Sequence, residues 1–64
     1  MKVIAQFNGP VALVKVADMA GGDFPFAVYV LKPGKPKYEK ADAFVDQHYA
    51  LKKAVEMFSF ANSL

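Results

Sequence analysis

The sequence predicts an α+β domain: a three- or four-stranded antiparallel sheet followed by one C-terminal helix packed on a face, in the order β-β-β-(β)-α. Three observations carry this. Apolar runs rich in Val and Phe fill the first half and are broken by Asn-Gly-Pro, Gly-Gly and Pro-Gly. The first two runs are closely spaced, which favours a hairpin over a crossover. After Asp46 the apolar spacing changes to a helical period.

The elements follow in order. Val3–Phe7 reads as a first strand and Asn8-Gly9-Pro10 as a turn, where Asn and Gly tolerate positive φ and Pro lacks a ladder donor. Val11–Ala17 reads as a second strand. Asp18–Asp23, with Gly21-Gly22, is a loop of wide backbone freedom. Phe24–Leu31 reads as a third strand with Pro25 at its start, where a missing N–H is tolerated. Lys32–Lys37 is a turn holding two prolines and a glycine.

Tyr38–Val45 fits two descriptions. As a fourth strand it leaves Asp46 to cap the helix; as early helix it leaves that role to Asp42. From Gln47 to about Ala61 the spacing predicts a helix whose inner stripe is Leu51, Ala54, Val55, Phe58 and Ala61. Lys52, Lys53, Glu56 and Ser59 point mostly elsewhere, and Asn62-Ser63-Leu64 reads as a frayed end.

A chain of 64 residues is one domain, spanning 1–64, near the size at which a single core stops being sufficient. There is no Cys, which excludes disulfides and thiolate metal sites. With a single His, a structural zinc lacks ligands. Among the usual supports for so small a core, self-association is left. The hydrophobic fraction of 55% excludes a disordered chain. No apolar run approaches the about 20 residues of a membrane span. The apolar stretch after Met1-Lys2 ends at Gln6 and Asn8, too early for a signal peptide. The lack of Cys and the lack of a signal both fit the reducing cytoplasm, and no membrane contact is expected.

All eight basic residues are Lys, and four of them (Lys32, Lys35, Lys37, Lys40) fall in nine positions. Without Arg the chain lacks the bidentate fork that reads guanine and phosphate. The Lys32–Lys37 turn is either an electropositive finger or a device that keeps a sheet edge soluble.

The central strands are apolar on both faces. Val14 and Val16 alternate with Leu13 and Ala17, and Phe26, Val28 and Val30 with Ala27, Tyr29 and Leu31. One helix covers one face, so the other is either wrapped by loops and Tyr38–Val45 or is an interface.

Catalytic patterns are missing. His48 has no carboxylate three or four positions away to orient its ring. Asp42 and Asp46, four apart, make at most a weak cation site and are better read as helix-start residues. Gly21-Gly22-Asp23 precedes a strand, whereas a phosphate-cradling loop precedes a helix. No cofactor is implied.

The strand-strand-strand-helix order resembles that of small DNA-binding domains such as integrase arm-binding domains, although their sheets present Arg and polar groups where this one has Val, Phe and Leu. In style the chain is also similar to short accessory proteins of phages and mobile elements. The resulting expectation is a non-enzymatic interaction protein, most readily a dimer, that binds or inhibits another protein through its apolar sheet face and loops. The candidate contact residues are Val14, Val16, Phe24, Phe26, Tyr29, Leu31, Lys32, Lys35, Lys37 and Tyr38. Two alternatives stand beside it: a nucleic-acid module using Lys32–Lys40, flanked by Tyr29 and Tyr38, and a small-molecule binder at an oligomer interface.

Overall fold

The computed structural model describes residues 1–63. Four strands, β1 (Lys2–Asn8), β2 (Leu13–Asp18), β3 (Phe26–Leu31) and β4 (Glu39–Phe44), precede one helix, α1 (Gln47–Ala61). The strands form an antiparallel meander in the order β1-β2-β3-β4. The segment Tyr38–Val45 therefore holds a fourth strand, Glu39–Phe44, and not early helix. Asp46 caps the helix from an extended conformation, its side chain accepting the His48 N–H at 2.7 Å. The Asp42 carboxylate accepts the Ala43 N–H inside β4 and has no role at the helix start.

The core lies between the helix and one face of the sheet. Val14 stands opposite Val30, and Val16 opposite Val28. Against this block of four valines the helix sets Ala50 and Ala54, both fully buried. β-Branched side chains make a stiff, even surface on a pleat. Two alanines one turn apart let the helix settle close to it, where larger residues would hold it off. Around this contact pack Ile4, Phe7, Phe26, Leu51, Met57 and Phe58. The Phe7 and Phe58 rings tilt together with centroids 5.8 Å apart.

The helix stripe differs from the sequence expectation at one flank. Leu51, Ala54, Phe58 and Ala61 face the sheet, but Val55 is 53% exposed. Its place is taken by Ala50 and Met57, so the buried arc is rotated away from Val55 and toward β4.

Asn62 is a clasp. Asn62 is the C-cap of α1, and its backbone N–H bonds to Phe58 O at 3.1 Å. Its side-chain oxygen accepts from Val11 N and Ala12 N, both at 2.8 Å. Its amide nitrogen donates to Ala12 O at 3.2 Å and to Phe58 O at 2.9 Å. One side chain thus binds the β1–β2 connection to the last helical turn. This accounts for two departures from the sequence reading: Asn62 is anchored rather than frayed (Leu64 of that reading lies outside the described residues), and β2 starts at Leu13 because Val11 and Ala12 spend their N–H groups on Asn62. It also accounts for Gly9. The residue does not need a positive φ; it needs space, since a Cβ there would overlap the Asn62 side chain.

The other connections use the chemistry their residues offer. β3 begins at Phe26 because Pro25 closes the preceding loop, its carbonyl accepting Met19 N–H at 2.8 Å. Lys32-Pro33-Gly34-Lys35 is a turn with Lys35 N bonded to Lys32 O at 3.2 Å, and Gly34 at φ 77 supplies the conformation that follows Pro in a type II turn.

Asn62→Ala is expected to lower the unfolding free energy by about 2–3 kcal/mol, because two partly buried N–H groups lose their acceptor. Gly9→Ala should destabilise the native chain yet cost little when Asn62 is already Ala. Urea unfolding of the four proteins tests this; additive losses would show that Gly9 and Asn62 do not compete for one space.

Candidate interaction surfaces

The register sorts the residues of the sheet into two faces. The helix face carries Val14, Val16, Phe26, Val28 and Val30, and also Glu39 and Asp42, which stand opposite Val30 and Val28. The open face consists of three rows. One row is Val3, Ala17, Ala27 and Ala43; the next is Gln6, Lys15, Tyr29 and Lys40; the last is Asn8, Leu13 and Leu31.

The open face is not a second core. Ala17 and Ala27, an opposed pair, are fully buried although no layer lies above them. Their small side chains sit below the level of their larger neighbours. Lys15 is half-buried, with its ammonium 4.1 Å from the centre of the Tyr38 ring and 6.0 Å from that of Tyr29. The Tyr29 hydroxyl reaches Met19 Sδ at 3.6 Å, bringing the β2–β3 loop to the edge of the same face. Tyr38 and Met19 therefore wrap part of the face, while Leu13, Tyr29 and Leu31 stay half-exposed.

Strand alternation segregates charge here. The β4 carboxylates Glu39 and Asp42 fall on the helix side, and Lys40, opposite Tyr29 at the β4 bulge, stands at the sheet edge, where it also lines the groove on the helix side. The rows of the open face thus hold Lys15, with Lys40 at their β4 edge, and no carboxylate.

The candidate contact residues do not form one site. Tyr29, Leu31 and Tyr38 lie on the open face. Val14 and Val16 are fully buried under the helix, and Phe26 packs against the same core; they are structural, since β2 and β3 turn these side chains toward α1. Phe24 is 59% exposed in the β2–β3 loop, apart from the open rows. Lys35 and Lys37 are exposed in the β3–β4 turn, whereas Lys32 points to the helix side.

A second surface lies on the helix side, where α1 leans over β2 and β3 and leaves a trough toward β4. This open groove of about 700 Å³ has Ala12, Val30, Ala41 and Met57 among its lining. Lys32, Glu39, Lys53 and Glu56 stand around it with Phe60, which is 86% exposed. Phe60 and Tyr49 (60% exposed) are the features that sequence reasoning passed over. The available signal was their angular position: at about 100° per residue both fall on the side of α1 away from Leu51 and Ala54.

His48 is exposed, its ring edge-on to Tyr49 at 6.0 Å. Among the described residues, no three His, Asp or Glu side chains converge as a metal site would require. No helix among them is long and apolar enough to cross a membrane. Comparison of the chain with protein families, curated proteins and solved structures returns no match.

The Lys15–Tyr38 contact should be measurable on its own. A double-mutant cycle with Lys15→Met and Tyr38→Leu is expected to give a coupling of about 0.5–1 kcal/mol in thermal or urea unfolding. A coupling of zero would mean that the ring and ammonium merely lie near each other.

Proposed function

We propose that this is a non-enzymatic, self-associating cytoplasmic interaction protein that docks its open sheet face onto an acidic protein surface containing apolar side chains. The observation that carries the reading is the composition of that face. Leu13, Leu31 and Tyr29 offer half-exposed apolar area, Lys15 sits among them, and Lys40 stands at the β4 edge, with no carboxylate in these rows. Apolar contact supplies binding energy, and a single sign of charge selects and steers the partner. Tyr side chains suit such a surface because they bring large area with little conformational freedom to lose.

The same charge segregation supports a second reading, a single-stranded nucleic acid lying over Tyr29 with its phosphates near Lys15, Lys40 and the Lys35–Lys37 turn. Two features favour protein. Lys15 already occupies a face of the Tyr38 ring that a base would stack on, and the chain has no Arg.

Lys15→Glu combined with Leu31→Asp keeps the helix-side core untouched and tests the reading directly. Immobilised wild-type protein is expected to retain a specific protein from host lysate, treated with nuclease, and the double variant to lose it at least tenfold while keeping its circular dichroism spectrum. Equal capture by both proteins would contradict the reading. Capture that disappears with nuclease, with binding to a labelled oligonucleotide falling steeply as salt rises, would replace it with the nucleic-acid reading.

A further inference from the structure

The outer side of α1 carries a self-complementary stripe. Tyr49, Lys53, Glu56 and Phe60 are spaced four, three and four residues apart, the spacing of a helix–helix seam. Tyr49 is 60% and Phe60 86% exposed, so both ends of the stripe are solvent-exposed aromatic side chains. Lys53 and Glu56 lie between them, beside the groove toward β4.

The order of these four residues is aromatic, basic, acidic, aromatic. Reversed, and read on a second antiparallel helix, it places acid opposite base and aromatic opposite aromatic. A two-fold axis passing between Ala54 and Val55 brings Tyr49 opposite the other copy's Phe60 and Lys53 opposite its Glu56, twice over. An interface of this kind is isologous and closes at two copies. We propose that the protein forms an antiparallel dimer through this stripe, with reciprocal Lys53–Glu56 ion pairs flanked by Tyr49–Phe60 contacts.

Other surfaces fit a second copy less well. The open sheet face carries lysines and no carboxylate, so two such faces repel. The β4 edge has Glu39, Lys40 and Asp42 among its six residues, the charged pattern that blocks edge pairing. Among the described residues, the helix stripe combines exposed aromatic area with both signs of charge in a palindromic order. The inference rests on the self-association in the proposed function and locates it on the helix, leaving the open sheet face for the partner.

Charge reversal tests the geometry without touching the core. Sedimentation equilibrium of the wild-type chain at tens to hundreds of micromolar is expected to give a dimer. Lys53→Glu alone and Glu56→Lys alone each set like charges opposite one another and should weaken the dimer about tenfold or more. The double variant K53E/E56K should regain wild-type affinity, and an equimolar mixture of the two single variants should form a heterodimer tighter than either homodimer. Leu31→Asp on the sheet should leave the dimer intact, which keeps this outcome distinct from failure of the sheet-face reading. A wild-type monomer throughout that range, single variants that dimerise as well as wild type, or a mixture no tighter than its components would each overturn the proposal.

Discussion

The structure depends on one contact: Ala50 and Ala54 of the helix seated on the block formed by Val14, Val16, Val28 and Val30. The described residues form one helix, and that helix lies on one face of the sheet. Once it is committed there, two surfaces are left without a covering layer, the open face of the sheet and the outer side of the helix. Everything offered for recognition follows from this arrangement. The contact also requires small side chains at two helical positions, so the area it gains is limited. Phe7 against Phe58 and the Asn62 clasp supplement it at one end of the helix.

The clasp shows how a short chain uses its few polar groups. No buried side-chain nitrogen or oxygen among the described residues lacks a partner. Asn62 makes four hydrogen bonds with its side chain, two to N–H groups outside the β-ladder and two to carbonyls, one of them in the last helical turn. It joins the two ends of the fold, Gly9–Ala12 and the helix C-terminus, about fifty residues apart in sequence. Closing such a loop costs chain entropy. The site recovers part of that cost by satisfying several backbone groups with one ordered amide.

Much of the fold was legible in the sequence because local signals agreed. The strand runs, the Pro-Gly turn and the helical period after Asp46 all point the same way, and the structure adopts them. What was not legible depended on long-range geometry. Nothing near Asn62 in sequence indicates that it captures Val11 and Ala12, so the end read as frayed. Nothing near Val55 shows that the helix is rotated toward β4, since an apolar side chain on either flank satisfies the same period. The apolar reading of both sheet faces was right in composition, but it overestimated the exposed area. Small alanines sink between neighbours, and Lys15 and Tyr38 fold over each other, effects that alternation alone does not express. The candidate contact set mixed core and surface because Val14 and Val16 look like Leu13 and Leu31 until the side taken by the helix is known.

The two uncovered surfaces differ in character: the helix stripe, with both signs of charge, is the surface proposed to pair with itself, and the single-signed sheet face the one proposed to receive another molecule. Amide chemical shifts recorded from micromolar to millimolar protein address this division residue by residue. Concentration-dependent shifts confined to Tyr49, Lys53, Glu56, Phe60 and their helical neighbours, with Lys15, Tyr29 and Leu31 unmoved, are the expected result. Shifts centred on the open sheet face, or none across the whole range, would contradict it.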